Sequence, residues 1–133
     1  AACDTALEEV AKAIESRQFR DGLRAAMRLA RHGNQYVDTK EPWKVVKIDK
    51  EAAGTALWGG LNVISTLRTV FYPYLPTSVD KVHSMLFESS DTLADGWNRR
   101  EIVPGAPIEK PTPLFLKLDD SIIAEENARL AGE

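Results

Sequence analysis

The stretch Arg31-His32-Gly33-Asn34-Gln35-Tyr36-Val37-Asp38-Thr39-Lys40-Glu41-Pro42-Trp43-Lys44 decides how this chain is read. A basic helical pattern runs into it, and a more apolar helical pattern begins shortly after it. Pro42 separates the two, because it has no N–H and pushes the preceding Glu41 out of helical geometry. Trp43 sits directly behind the proline and is followed by Lys44 and Lys47. A flat indole among positive charges, at a bend between helices, suits a base from an RNA loop. Bases stack on aromatic faces at roughly 1–3 kcal/mol each, while cations hold the phosphates. The same pair also suits a packing plug, with the indole closing the end of a core. The residues alone leave both readings open.

Upstream, the spacing predicts a helix from about Arg20 to about Val37, with Phe19, Leu23, Ala26, Met27 and Ala30 towards the core. Arg17, Arg20, Arg24, Arg28 and Arg31 fall three or four apart and form one ridge beside that face. For each arginine, a solvated face paired with neighbours such as Asp21 or Glu15 competes with a binding role. Asn34 lies one turn beyond Ala30 and is expected to tie this helix to a neighbour. A first helix precedes it, capped by Asp4 or Thr5 and carrying Leu7, Val10, Ala11 and Ile14 as its apolar stripe.

Downstream, a third helix is predicted from near Lys50 to about Tyr72, with Ala53, Ala56, Leu57, Gly60, Leu61, Ile64, Leu67 and Phe71 on its apolar face. Gly59-Gly60 in its middle costs roughly 1 kcal/mol per glycine relative to alanine, and close approach of another helix is the expected return. Pro73-Tyr74-Leu75-Pro76 stops it. Thr77 or Ser78 then caps a short helix with Val79, Val82 and Leu86 inward and His83 exposed. Residues 88–113 are polar and rich in Gly and Pro, and 88–118 make up the expected extended segment. They are expected to wrap the bundle in extended form, pinned by Trp97, Ile102 and Val103, with Pro113-Leu114-Phe115-Leu116-Lys117-Leu118 docking as an apolar patch. Asp119 or Ser121 caps a last helix to about Leu130. The expected fold is all-α: an antiparallel bundle of about four to five helices, with an extended Pro/Gly-rich segment before the last helix, forming one domain over residues 1–133.

Length and charge fit this picture. A chain of 133 residues can bury a real core. Between Arg17 and Lys50 nine Lys or Arg face four Asp or Glu, a local +5, so the rest carries −8 of the total −3. An overall acidic chain argues against a general nucleic-acid binder, and no DNA partner is expected; a basic stretch within it suits one binding face. Cys3 is the only cysteine, so no internal disulfide is possible, which suits a reducing cytoplasm. No long apolar run could span a membrane. The chain opens at Ala1-Ala2-Cys3 without Met, and a piece of a larger protein is expected.

Catalytic signatures are absent from the pattern. Gly59-Gly60 lies inside a helical repeat and cannot cradle phosphate. His32 and His83 are isolated, with no partner at metal-ligand spacing. Carboxylate pairs such as Glu8-Glu9, Asp119-Asp120 and Glu125-Glu126 suit the starts of helices. The residues assemble no nucleophile and base, so the chain is expected to bind rather than catalyse.

Several segments together resemble the anticodon-binding domain of methionyl-tRNA synthetases, over nearly the whole chain. Phe19-Arg20-Asp21-Gly22-Leu23-Arg24-Ala25-Ala26-Met27-Arg28-Leu29-Ala30 resembles the family's entry helix. Gly33-Asn34-Gln35-Tyr36 followed by Glu41-Pro42-Trp43-Lys44 is the most specific signature. Tyr72-Pro73-Tyr74-Leu75-Pro76-Thr77-Ser78 resembles the turn after the central helix. Trp97, Val103-Pro104-Gly105, Ile108 and residues 113–118 resemble the extended segment that returns towards the rest of the enzyme. The wording of the signature is closer to archaeal and eukaryotic members than to the common bacterial type.

The resemblance implies a helical bundle that reads the CAU anticodon of tRNA(Met). It implies that Trp43 stacks on the first anticodon base, with Pro42 shaping its approach. Lys44 and Lys47, with Arg28 or Arg31, are the candidates for phosphate contacts. It also implies that base edges are read by an Asn and an Arg on a helix that falls before Ala1, so Asn34 does not take that role. The parent would be a methionine–tRNA ligase using ATP as substrate, with its catalytic domain as a partner and no cofactor held in this part. The competing reading is a helical protein-interaction module, with the arginine ridge meeting an acidic partner and Trp43 as a hydrophobic anchor.

Overall fold

Stretches rich in Ala, Leu, Glu, Lys and Arg, with apolar residues three and four apart, form helices throughout this chain. The computed structural model describes residues 1–88 and 91–132. Ser89 and Ser90, in the expected extended segment, and Glu133, at the end of the expected domain, lie outside the described residues. Every regular element among the described residues is helical: α1 (Ala2–Glu15), α2 (Phe19–Lys40), the single-turn α3 (Pro42–Val45), α4 (Lys50–Phe71), α5 (Pro76–Leu86) and α6 (Asp120–Ala131).

The core lies where α1, α2 and α4 meet. Leu7, Val10, Ala25, Ala26, Leu29 and Val70 are buried there, with Ile14, Leu67, Phe71 and Trp97 packed around them. The α1 stripe faces the core as its spacing predicts. The helix begins three or four residues earlier than expected, with Ala1 at its N-cap, so Asp4 sits in its first turn instead of capping it. In α2 the buried residues are Gly22, Ala25, Ala26 and Leu29, while Phe19, Leu23 and Met27 are exposed. The buried face is turned by about one residue, roughly 100°, from the predicted one. The helix is apolar on two adjacent stripes, and the stripe of small residues is the one that admits close neighbours.

Glycines set that closeness. A Cβ on Gly33 of α2 would lie 2.9 Å from a methyl of Val63 on α4, and one on Gly60 of α4 would lie 3.3 Å from a methyl of Val37 on α2. A Cβ on Gly59 would meet the Tyr36 hydroxyl and lie 2.9 Å from the ring carbon Cζ. The two helices run antiparallel and interlock at these points, which is the approach the glycine pair predicted. At the other end Tyr74 covers Gly22 and donates to the Phe19 carbonyl at 2.9 Å.

The other face of α4 is buried and polar, where the sequence predicted an apolar strut. Asn62, Ser65, Thr66, Arg68 and Thr69 are all buried, while Leu57 and Ile64 are exposed. The covering chain is the extended segment, running antiparallel to the helix. Thr69 donates to the Asn98 carbonyl at 3.3 Å and Ser65 to the Arg100 carbonyl at 2.6 Å. Asn62 Oδ1 accepts the Ile102 N–H at 3.1 Å, and the Trp58 indole donates to the Ile102 carbonyl at 2.7 Å. Two residues of extended chain advance about 6.6 Å, and four residues of helix about 6 Å. The repeats match, so alternate strap residues meet successive helical turns, and side chains of α4 satisfy backbone groups that have no strand partner.

The strap is pinned by Trp97 and Ile102 as predicted; Val103 is exposed. His83, expected on the surface, is 1 % exposed. Its Nδ1 lies 3.1 Å from a guanidinium nitrogen of Arg68, which also donates to the Thr92 carbonyl. Burial pulls the Arg68 guanidinium below its usual range, though such a group stays protonated at any ordinary pH. Asn34 is exposed and makes no tie to a neighbouring helix among the described residues. The helix C-terminal half meets α4 through Gly33, Tyr36 and Val37 instead, on a different face.

Leu75 precedes α5, and Pro76 occupies its first turn, so neither Thr77 nor Ser78 acts as the cap. Proline there needs no N–H partner. Asp119 caps α6 by accepting the Ser121 N–H at 3.0 Å, but no residue of α6 is buried. The patch at 113–118 does not dock as expected: Leu114 is half-buried, while Phe115, Leu116 and Leu118 are exposed. Leu114 and Phe115 help to line a groove of about 310 Å³ with Met27, Ile64, Phe71 and Val79.

Candidate nucleic-acid interface

The bend that presents Trp43 is built by two residues. Glu41 takes a left-handed conformation, φ 40° and ψ 54°, closing α2 and opening α3. Its N–H donates to the Val37 carbonyl at 2.9 Å, and its own carbonyl accepts from Lys44 and Val45 at 2.8 and 3.1 Å. A non-glycine residue in this region costs about 1–2 kcal/mol, so the bend needs support. Pro42 supplies it: the ring is buried, and α3 packs on α4.

The plug is therefore the proline. Trp43 remains 51 % exposed, and its indole N–H has no hydrogen-bond partner among the described residues. The other two tryptophans differ, since Trp58 and Trp97 each donate to a backbone carbonyl across the fold. Val46 and Ile48, beside Trp43, are exposed as well. Lys44 pairs with Glu41 at 2.5 Å on the surface. Exposed pairs of this kind are worth about 0–1 kcal/mol, so the ammonium is readily drawn to another anion. Lys47 is exposed and makes no ion pair among the described residues.

The arginine ridge divides. Arg28 pairs with Glu9 of α1, and Arg24 with Asp21 at 3.3 Å. Arg28 and Arg31 line a groove of about 450 Å³ between α1 and α2, together with Glu9, His32 and Gln35. From Arg31 to the end of α2 is about 14 Å of helix, and Arg28 lies a further turn back. Pro42, Trp43, Lys44 and Lys47 thus lie together on α3 and the turn after it, while Arg31, like Arg28, lies on the α1–α2 groove. Among the described residues no group of three or more His, Cys, Asp or Glu could hold a metal. Nor, among the described residues, is any helix long and apolar enough to cross a membrane.

An exposed indole on a proline-braced turn, flanked by lysines, can accept a flat π-face and an anion beside it. The whole chain, residues 1–133, matches the family model of the anticodon binding domain of methionyl tRNA ligase. The chain belongs to this family. Among its relatives, the methionine–tRNA ligase of Dehalococcoides mccartyi is 41 % identical over 124 residues, covering 93 % of this chain and 22 % of that protein. That of Roseiflexus sp. (strain RS-1) is 38 % identical, over 98 % of this chain and 26 % of its own length. That of Pyrococcus furiosus is 39 % identical, over 87 % of this chain and 16 % of its own length. The chain therefore spans about a quarter of the length of the curated relatives it matches.

As an anticodon-binding domain, the fold adds contacts that the sequence did not specify. Tyr36 and Gly59 hold the end of α2 against α4. The polar stripe of Asn62, Ser65, Thr66 and Thr69 was visible as a helical repeat, but such a stripe ordinarily faces water. Nothing local marks it as covered by backbone 29 to 40 residues away.

Proposed function

We propose that this chain selects tRNA(Met) by its CAU anticodon loop, within a methionine–tRNA ligase that joins methionine to that tRNA using ATP in the cytoplasm. The observation that carries this reading is the half-exposed indole of Trp43, without a hydrogen-bond partner among the described residues, on a turn braced by the buried Pro42. In it, Trp43 stacks on the first anticodon base, and Lys44 and Lys47 hold neighbouring phosphates. Arg31 extends the positive path along α2, with Arg28 as a more distant contributor.

Stacking tolerates any base, so Trp43 supplies affinity and position, while hydrogen bonds to base edges supply discrimination. The second surface fits a role inside a larger enzyme. The apolar residues Phe19, Leu23 and Met27 on α2, and the unburied α6, suit contact with the parent's catalytic domain. A free-standing module for an acidic protein partner leaves the family match over residues 1–133 without an explanation.

An NMR titration with a CAU anticodon stem-loop tests the reading. The Trp43 indole N–H, assigned with Trp43→Phe, is expected to shift together with Lys44 and Lys47. A folded domain whose Trp43 signal stays fixed at saturating RNA would return the indole to a structural role.

A further inference from the structure

The end of α2 is tied to the middle of α4 by one unusual contact. The phenol ring of Tyr36 lies on the bare backbone of Gly59: a Cβ there would meet the hydroxyl and lie 2.9 and 3.2 Å from the ring carbons Cζ and Cε1. Next to it, Val37 rests at 3.3 Å from the corresponding position of Gly60. From Val37 onward, backbone hydrogen bonds link the end of α2 to α3. Glu41 donates to Val37, Lys44 and Val45 donate to Glu41, and Val46 donates to Pro42 at 2.9 Å. The last turn of α2, the Glu41 bend and α3 therefore move as one body, with Trp43 on it. Its reference frame is α4, against which both α2 and α3 pack.

We propose that Tyr36 and Gly59 are the positioning pair for Trp43: the ring resting on a residue without a side chain sets the place at which the indole is presented to a base. The inference rests on the stacking reading of Trp43 given above. An alanine in mid-helix is more favourable than glycine by roughly 1 kcal/mol, so Gly59 forgoes helix stability for the close approach. A methyl group at this point displaces the ring, and the ring carries the turn with it. Gly54 is the internal control. It lies on the same helix, and a Cβ there meets nothing within 4 Å.

The test has two readouts. The first labels the chain with 5-fluorotryptophan, Trp43→Phe identifying the Trp43 resonance. Gly59→Ala is expected to move that resonance while leaving Trp97, tied to Leu7, in place; Gly54→Ala moves neither. The second uses the full-length ligase. Gly59→Ala is expected to raise the KM for tRNA about tenfold, part of the roughly 5- to 150-fold that a whole base stack is worth. The kcat for aminoacylation and the rate of ATP–pyrophosphate exchange stay within about twofold, as for a loss of binding alone. Tyr36→Leu in the Gly59→Ala background makes room for the methyl and is expected to restore KM, a coupling that separate stability losses do not produce.

An unmoved Trp43 resonance in folded Gly59→Ala overturns the proposal, as does an unchanged KM under conditions where Trp43→Ala raises it. Should Gly59→Ala fail to fold, Tyr36→Leu alone carries the test, and an unmoved Trp43 resonance in that variant overturns the proposal equally. If Trp43→Ala itself leaves the tRNA KM unchanged, the stacking reading fails and takes the inference with it, an outcome the same assay separates from failure of the pair.

Discussion

The indole N–H of Trp97 donates to the backbone carbonyl of Leu7, ninety residues away in sequence, at 3.0 Å. This bond fastens the extended segment to α1, while Thr69, Ser65 and Asn62 fasten it to α4. Trp97→Phe keeps most of the ring and loses the bond, so a loss of about 1 kcal/mol is expected in urea denaturation. Trp97→Ala removes the packing as well and should also open residues 91–102 to limited proteolysis.

Asn62 and Ser65 both serve the segment, but unequally. Asn62→Leu leaves the buried Ile102 N–H without its acceptor, at a cost of about 1–3 kcal/mol. Ser65→Ala removes one donor from the Arg100 carbonyl, which has a second lone pair for water, and should cost less. Thermal unfolding of the two variants gives the order, and amide exchange at Ile102 should quicken only in the first.

Tyr74 makes the fold sensitive to alkali. Burial raises its phenol above the ordinary value of 10.0. The folded chain thus prefers the neutral phenol. The associated stability is full below pH about 10 and is lost as pH rises through the raised folded value. Tyr74→Phe should flatten this limb of the denaturation profile between pH 8 and 11. At neutral pH the variant should lose about 1 kcal/mol with the bond to the Phe19 carbonyl.

Lys47 and Arg28 separate the proposed cluster from the α1–α2 contact. A cation that meets a phosphate of single-stranded RNA contributes about 0.7 to the slope of log affinity against log salt. Lys47→Ala should flatten the slope by about that amount, and Arg28→Ala by less, because Arg28 is engaged with Glu9. Binding of the anticodon stem-loop followed by fluorescence anisotropy over a KCl series measures both. A larger change for Arg28→Ala would move the phosphate path into the α1–α2 groove.

Much of the candidate site was legible beforehand because its signals are local. Proline behind a helix fixes a bend, and Pro42-Trp43-Lys44 with Lys47 follows within one turn of it. Whether the indole faced solvent or core was not legible, since the buried member of the pair is Pro42 and a sequence does not show which of two adjacent apolar residues turns inward. The arginines illustrate the same limit. Their spacing makes a ridge, but it does not show that Arg28 meets Glu9 on another helix.

By itself the sequence determined the five longer helices, their approximate ends, the Gly59-Gly60 approach and the family signature, but not the one-turn α3. Each depends on residues within a few turns of one another, where periodicity, proline and glycine act directly on the backbone. The tertiary structure decided which of two apolar stripes on α2 is buried, that the polar face of α4 lies inside, and that His83 lies beside Arg68. It also left the 113–118 patch largely uncovered. These outcomes depend on which distant segment supplies the matching surface. A helix with two usable faces is indifferent between them until its neighbours arrive, and here glycine gaps and unpaired strap backbone made the choice.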